Sequence, residues 1–528
     1  MHSFLCSFAA SIVLMLTMWV PASAFASAYV QASGTGLTLN GKPFRFVGFN
    51  NFQITSMPGY YNCGGIIDQT TLDSVLQDAS TNGATVVRTW FFQSYYQSST
   101  WAAFDRVLSS AAVHGLKVIP VLVDEWQYCE PPSINKDLNF YQSGYTQPGY
   151  GYPLSFLNYA TTVARHYAGD TRIAFWQIGN ELANVTASGT CDSTAESQGA
   201  TALRNFADNV TKAIKGVDPN HLVSLGTIGS GQCGLAGADY SYVHAGSVDL
   251  CEYHDYTDVI HSIPSDGYNQ LAQRITQCAV LKKPLFIGEA GIVADVNDQG
   301  QSTGTIDWTT LQRRSGFFNA KISAAFGNGI AGYLIWDKEQ VGSASTFNLN
   351  NGRFTVGPNS QGNDPSNAMV LNQAAFLTSG ASLPTVRFSW EDGSVQNWSV
   401  AWGGTQLSLS NSAAEAWAGV KSLALTLGNG AGYPAARTTA TTGAGAGTTI
   451  TYRLYLPANA PTSLQAQPFV SNNAWQQTFG SAVILTYGWN VVSWTVPSGV
   501  TSPLQAIGVQ INNGGGYSGS VYLDDVAW

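Results

Sequence analysis

Charge is scarce in this sequence: only 10% of its 528 residues are Asp, Glu, Lys or Arg, where about 25% is usual for soluble domains. The 23 Lys and Arg are outnumbered by 32 Asp and Glu, a net charge of −9. That balance excludes the basic surface that nucleic acid requires. No Cys-x-x-Cys and no His-Glu-x-x-His occurs, which removes the common zinc spacings and the metallohydrolase reading. An apolar run long enough to span a bilayer is also lacking. The run Phe8–Val20 is too short for that, and it leads into Pro21, Ala22-Ser23-Ala24 and Ala26-Ser27-Ala28. Residues 1–28 therefore read as a signal peptide and the protein as secreted, although the segment before the run carries no Lys or Arg. An uncleaved anchor is the alternative. Cleavage leaves Cys63, Cys129, Cys191, Cys233, Cys251 and Cys278, an even number that in an exported chain reads as disulfides rather than metal ligands.

Aromatic side chains, by contrast, are abundant: 15 Trp, 24 Tyr and 24 Phe. Rings that stack on pyranose faces, set among neutral polar groups, suit sugar recognition, and rings also fill cores. A chain of this length calls for two domains. From Phe44 to about Phe376, short β-branched runs alternate with amphipathic segments. The expected strands are Phe44–Phe49, Thr85–Thr89, Lys117–Leu122, Ile173–Ile178, Leu222–Leu225, Val248–Tyr253, Pro284–Ile287 and Gly332–Trp336. Helices are expected at Asp68–Thr81, Trp101–His114, Pro153–Tyr167, Ala195–Gly216, Tyr268–Leu281, Thr309–Gly327 and Ser366–Leu377, with 226–246 a Gly-rich loop. Eight strands interleaved with helices over 29–378 predict a (β/α)₈ TIM barrel with enlarged loops. A doubly wound open sheet is the other arrangement this count allows.

The sequence changes character at 379–384. Residues 384–528 hold nine charged residues and eight of the Trp, in short alternating runs separated by Gly, Pro and Asn. This predicts an all-β sandwich, with Thr438–Thr449 as a flexible loop. Cys251 lies out of phase with His254 on its strand and is expected to face outward and pair with Cys278. Cys191 is expected to pair with Cys233.

Two apolar strands end in glutamate: Trp176-Gln177-Ile178-Gly179-Asn180-Glu181 and Pro284-Leu285-Phe286-Ile287-Gly288-Glu289. In a barrel the C-terminal strand ends form the active face, so both carboxylates would enter one pocket. Two carboxyls about 5–5.5 Å apart are what retaining glycoside hydrolysis uses. On these residues the stretch from Gly36 to Phe376 resembles glycoside hydrolase family 5, in the clan of retaining barrel enzymes. The resemblance implies that Glu181 is the acid/base and Glu289 the nucleophile, and that Asn180 bonds the sugar 2-hydroxyl. It matches the family's buried arginine to Arg88, whose cation would keep Glu289 ionised while Glu289 raises Glu181. His254-Asp255-Tyr256 matches the His-x-Tyr motif, with Tyr256 orienting the nucleophile and His254 contacting substrate or Glu181. Trp336 matches the aromatic floor.

Leu39–Phe44, Gly48–Asn51, Val87-Arg88-Thr89-Trp90 and Val123-Asp124-Glu125-Trp126 further resemble endo-β-1,4-mannanases, which adds Trp90 and Trp126 as substrate contacts. Leu182 stands where mannanases carry Pro, so mannan and glucan both stay open, as does exo action. A non-catalytic glycan-binding protein is the reading from another class, and the paired Glu with Arg88 and His-x-Tyr argue against it. No catalytic cofactor is implied. The expected partner is a plant-type β-glycan polysaccharide (mannan, glucomannan or glucan) bound by a monomer, with no nucleic acid and, after signal cleavage, no membrane.

The C-terminal part resembles jelly-roll carbohydrate-binding modules, through Phe388-Ser389-Trp390-Glu391-Asp392-Gly393 and Val521-Tyr522-Leu523-Asp524-Asp525-Val526. That resemblance implies Glu391 and Asp525 as ligands of a structural calcium, and some of Trp402, Trp417, Trp475 and Trp489 as a binding platform. Gly229-Ser230-Gly231-Gln232-Cys233-Gly234 fits a dinucleotide pattern, but no helix begins within its glycines.

Overall fold

A computed structural model describes residues 28–55, 68–96, 100–126, 136–150, 152–185, 190–265, 268, 270–338, 354–357, 364–378, 386–417, 421–428, 430–457, 459–461, 463–485 and 488–528. The expected signal segment (apart from Ala28), Cys63, Cys129 and the junction at 379–384 lie outside the described residues.

A small antiparallel sheet comes first: β1 (Gln31–Ser33), β2 (Gly36–Leu39) and β3 (Lys42–Phe44). Asn40 and Gly41 join the last two at φ 53° and 71°, the left-handed conformations that a two-residue hairpin turn requires. Phe44 thus ends a hairpin, and the first barrel strand starts two residues later than expected.

The barrel strands are β4 (Phe46–Asn50), β5 (Val86–Trp90), β6 (Lys117–Val121), β7 (Trp176–Gln177), β8 (Val223–Ser224), β9 (Cys251–Asp255), β10 (Leu285–Ala290) and β11 (Gly332–Ile335). They pair in parallel in the order β8-β7-β6-β5-β4-β11-β10-β9. Ser224 bridges Leu250, and Asp249 N donates to Val223 O at 2.8 Å. Those contacts join the two ends of the sheet. An open sheet would keep two unpaired edges, so the expected barrel is what forms.

Around it lie α1 (Gln69–Thr81), α2 (Ala102–Val113), α3 (Leu138–Gln142), α4 (Phe156–His166), α5 (Ser193–Val217), α6 (Ala238–His244), α7 (Leu271–Leu281), α8 (Trp308–Gly327) and α9 (Pro365–Thr378). Side-chain caps fix several starts. Asp68 accepts from Thr71 N, Asp192 from Thr194 N and Ala195 N, and Asp307 with Thr310 forms a reciprocal capping box. Such caps contribute about 1 kcal/mol each. Helices α3 and α6 were not expected. Both are too short to register as periodicity, and α6 sits inside the stretch read as loop.

Within the barrel the N-terminal half is dry. Phe46, Phe175 and Phe286 meet at ring separations of 5.1–6.3 Å, over Val30 and Leu37 from the entry hairpin. Burial of each such ring contributes about 1.5–3 kcal/mol. This plug leaves only the C-terminal half for polar groups. Outside the barrel, disulfides join Cys191 to Cys233 and Cys251 to Cys278, the two pairs expected from strand phase and loop position.

The remaining strands form a sandwich: β12 (Val386–Phe388), β13 (Trp398–Trp402), β14 (Leu407–Ser412), β15 (Ser422–Leu427), β16 (Ala435–Thr438), β17 (Thr449–Leu456), β18 (Gln465–Ser471), β19 (Gln477–Phe479), β20 (Val483–Ile484), β21 (Gly488–Thr495), β22 (Ala506–Asn512) and β23 (Gly519–Ala527). One sheet runs β14-β15-β23-β17-β21 and the other β13-β16-β22-β18-β19, with Trp390, Trp398, Leu425 and Ile507 among the side chains between them. The sandwich touches the barrel at α8. Tyr455 OH donates to Gln312 Oε1 at 2.8 Å, and Gly316 lies so close to Trp417 that a Cβ there would stand 2.3 Å from its carbonyl oxygen.

Candidate active site

The residues singled out from the sequence converge at the C-terminal ends of the barrel strands. Glu289 is the penultimate residue of β10 and is 3% exposed. Glu181 follows β7 with φ 54°, and its backbone is held in that conformation while Leu182 N bonds Gly226 O at 2.8 Å. A non-glycine residue held there is strained, and such strain gathers at functional sites. One carboxylate oxygen from each Glu and a ring nitrogen of His254 all lie within 4.8 Å of one another.

Arg88 is fully buried beneath them. Its Nη1 donates to Glu289 Oε1 at 2.7 Å and to Asn50 Oδ1 at 2.8 Å, its Nη2 to Asn180 Oδ1 at 2.7 Å, and its Nε to Gln177 Oε1 at 2.5 Å. The guanidinium is thus bound to protein on every side. Arg88 thereby orients Glu289 and Asn180. Tyr256 OH donates to Glu289 Oε2 at 2.7 Å. Asn180 passes its amide on to Asp124 Oδ1 at 2.9 Å. Trp126 is half-buried and donates Nε1–H to Glu181 Oε2 at 2.6 Å.

Trp336 is half-buried, with its ring stacked on Phe52 at 5.4 Å and 2°. Trp90 does not join it as a sugar contact. It is 3% exposed, packed on Phe92 at 5.2 Å and placed under the Arg88 guanidinium at 4.9 Å. A buried ring against the arginine serves that cation and has no face left for a sugar.

Sequence reading missed three members of this site: Asn50, Gln177 and Glu252. Glu252 is fully buried, accepts from Gln177 Nε2 at 2.6 Å and faces His254 Nε2 at 3.1 Å. The signal was available. Alternate residues on a strand share a face, so Glu252 had to point inward with His254. Asp337 beside Trp336 is a fourth. Burial pushes its carboxyl up to about 7, Thr355 opposes that with a hydrogen bond and Glu289 adds to it.

The electrostatic order differs from the expected one. Burial raises Glu289, and repulsion from Glu181 adds to this, against His254, Arg88 and Tyr256. For Glu181 burial also acts upward, but the His254 hydrogen bond and charge, Trp126 and Arg88 outweigh it and leave the group below its ordinary value. The cause is His254. Burial disfavours its charged ring, yet Glu289, Glu181 and Glu252 push it up to about 10. Beside Arg88 the His254 ring is thus a second cationic group in the site, and it touches Glu181 directly.

A metal has little room in this trio, because Arg88 and Tyr256 already donate to Glu289 and Trp126 to Glu181. Glu391 and Asp525, expected to share a structural calcium, lie close enough for Glu391 to act with burial in raising the Asp525 carboxyl up to about 6. Glu391 accepts from Lys421 N at 2.9 Å, and the cation nearest in effect to Asp525 is the buried Arg453. Neither carboxylate belongs to a three-donor cluster among the described residues. The glycine pattern at 229–234 has a structural use: Arg274 donates to Gly229 O at 2.6 Å and to Ser230 O at 3.1 Å.

Comparison with known proteins gives matches along the barrel. The family model described as cellulase (glycosyl hydrolase family 5) matches residues 37–326. A putative mannan endo-1,4-β-mannosidase 9 from Oryza sativa subsp. japonica is 27% identical over 367 residues, covering 60% of this chain and 83% of its own. Mannan endo-1,4-β-mannosidase A from Hypocrea jecorina is 26% identical over 319 residues, covering 54% and 67%. A solved endo-β-1,4-mannanase from Thermotoga petrophila covers 87% of this chain and 99% of its own, at 16% identity and a TM-score of 0.48.

Proposed function

The chain belongs to glycosyl hydrolase family 5, and from that premise we propose that it is a secreted, retaining endo-β-1,4-mannanase with Glu289 as nucleophile and Glu181 as acid/base. The observation that carries the reading is the approach of the two carboxylates within 4.8 Å, near the spacing of a double displacement and too close for a water to attack between them. Glu289 attacks the anomeric carbon as the glycosidic C–O bond breaks, and Glu181 gives its proton to the leaving oxygen. Glu181 then takes a proton from water, whose oxygen displaces Glu289 and restores the starting configuration. Arg88 and Tyr256 each hold one oxygen of Glu289, which fixes the attacking lone pair. Half-buried Trp336 offers the sugar a stacking face. Mannan rather than glucan is supported by the names of the relatives at 24–27% identity. Export is supported by the disulfides.

The sandwich we assign to holding neutral glycan through the outer face of β13-β16-β22-β18-β19. Gln465, Asn512, Gln510 and Gln467 form a row of amides there, linked at 3.2, 2.7 and 3.2 Å. Trp475 is 44% and Phe479 42% exposed beside them. Of the expected platform residues, Trp402 belongs to this face through Phe469 and Phe479, whereas Trp417 is buried against Trp489 on the barrel side.

Product analysis on mannan, glucomannan and carboxymethylcellulose tests the substrate. Internal cleavage of mannan with retained anomeric configuration is the expected result. Hydrolysis of carboxymethylcellulose alone would make the enzyme an endo-glucanase, and release of single sugars from chain ends would make it exo-acting.

A further inference from the structure

Below the two glutamates runs a chain of contacts that begins at one and ends at the other. Glu289 Oε1 accepts from Arg88 Nη1 at 2.7 Å, and Arg88 Nε donates to Gln177 Oε1 at 2.5 Å. Gln177 Nε2 donates to Glu252 Oε2 at 2.6 Å, Glu252 Oε1 faces His254 Nε2 at 3.1 Å, and His254 Nδ1 faces Glu181 Oε1 at 2.9 Å. Each link restricts the next. Arg88 can only donate, so Gln177 must turn its oxygen to Arg88 and its NH₂ to Glu252. Ser224 Oγ also donates to the same Glu252 oxygen, at 3.2 Å. With Glu252 as the carboxylate, its Oε1 can only accept, so His254 Nε2 carries a hydrogen toward it. The remaining contact, Nδ1 with Glu181 Oε1, then holds a single proton that either partner can keep.

Space for Glu252 is made by the residue that precedes the proposed nucleophile. A Cβ on Gly288 would stand 1.9 Å from Glu252 Oε1, so only glycine lets this carboxylate reach beneath β10. Apart from that function Glu252 is costly: it is fully buried, and a buried carboxylate must be bonded and balanced by a cation.

We propose that Glu252 is a positioning residue that holds His254 doubly protonated against Glu181, so that the site retains the proton for the leaving oxygen well above the pH at which an isolated glutamic acid would lose it. The proposal rests on the roles given above to Glu181 and Glu289. On bond cleavage the shared proton ends on the leaving oxygen, and His254 and Glu181 carry one proton fewer. The attacking water returns it. The charged groups facing His254 are Glu181 after β7, Glu289 on β10 with Arg88 behind it on β5, and Glu252 on its own strand. The charges agree with the geometry, since Glu289, Glu181 and Glu252 together overcome burial in favour of the cation.

The test is Glu252→Gln in the full chain, which keeps the shape and removes the charge. A neutral neighbour favours the imidazolium less, so the alkaline limb of kcat/KM should move to lower pH by at least one unit, with KM and the acidic limb unchanged. Glu252→Asp, which keeps the charge, should return part of that shift. An activated aryl leaving group should abolish it. A fall in activity by one factor at all pH values would overturn the proposal and leave Glu252 a packing residue. Should the variants not fold, ¹⁵N resonances of the His254 ring in the unmodified protein decide the point. Both nitrogens protonated at pH 8 supports the proposal, and a neutral ring overturns it. That reading needs no substrate, so it stands or falls apart from the choice of mannan.

Discussion

The barrel cleft and the outer face of the sandwich both present aromatic rings beside hydrogen-bonding groups, yet they are built from different chemistry. In the cleft the groups are charged and buried: Arg88, Glu252, His254 and Glu289 are at most 3% exposed. On the sandwich they are neutral amides, half-exposed and bonded to one another. Charges interact strongly only where water is excluded, and moving charge during bond cleavage is what such fixed groups stabilise. Holding an uncharged chain of sugars asks for none of that. Neutral amides and open ring faces suffice, and they avoid the desolvation cost of ions. Under the roles proposed for the two regions, the uneven distribution of charge along the chain is a division of labour: nine charged residues lie among the last 145.

The sharpest way to break this comparison is to remove the charged groups of the cleft. Glu289→Ala should leave a folded protein without measurable turnover, and azide should restore part of it by filling the vacated position and giving an inverted glycosyl azide. Glu181→Ala should cost about 10²–10⁴-fold on a natural glycan and far less on an activated aryl glycoside. Near-normal turnover in either variant, measured on matched substrates, would remove the cleft's claim to chemistry.

A second break targets the cation. Arg88→Met would leave Glu289, Gln177, Asn50 and Asn180 facing an apolar side chain, and stranding a buried ion in this way costs about 3–5 kcal/mol, readable as a lower urea midpoint. The sign of the pH effect follows from the charge. Arg88 favours ionised Glu289, whose carboxyl is already raised by burial, so without Arg88 the acidic limb of activity should move to higher pH. An unmoved acidic limb would show that Glu289 is not the group titrating there.

How much of this could be read beforehand differs between the two regions for the same physical reason. In the barrel, strands buried on both faces make apolar runs that stop at Glu181 and Glu289, and parallel strands must present their C-terminal ends together. Position in sequence thus gave position in space. Glu252, Gln177 and Asn50 lie within such runs, where a polar residue has no visible partner until the strands are laid side by side. The pairing of Gln177 with Glu252 spans 75 residues. Trp90 was misjudged because a ring under a guanidinium and a ring under a sugar leave the same mark on a sequence. In the sandwich, strands such as β15 and β22 were legible from alternation. Strand β18, Gln-Ala-Gln-Pro-Phe-Val-Ser, was missed because its outward amides are spaced like those of a loop.

The sandwich face yields a smaller prediction. Trp475→Ala, made in the chain inactivated at Glu289, removes an exposed ring that Arg437 steadies at 4.8 Å. Stacking of this kind is worth about 0.5–1.5 kcal/mol beyond its area, so affinity for mannan in gel retardation should fall roughly 2- to 10-fold. Retardation of both proteins should be nearly independent of salt, because no counterion is released. Strong salt dependence would contradict a neutral face and with it the contrast drawn above.

The smallest effect is expected where the two regions meet. Glu415 lies beside Tyr455, whose hydroxyl reaches Gln312 of the barrel at 2.8 Å. Burial pushes the Glu415 carboxyl up to about 7, with Tyr455 and Arg313 acting the other way and Asp298 adding to the rise. An acid whose folded pKa is raised binds its proton more tightly when folded than when unfolded. Its contribution is therefore complete below the unfolded value near 4.5 and is lost as pH rises toward 7. Stability of the docked sandwich should thus decline across that window. Glu415→Gln, which stays neutral throughout, should flatten the decline without altering the melting temperature at pH 4.5 by more than a degree or two. Scanning calorimetry of both proteins at half-unit pH steps measures this directly. Parallel curves would mean that the carboxylate is charged and accommodated at the junction. The boundary between charged barrel and neutral sandwich would then lie beyond Glu415, on the sandwich side.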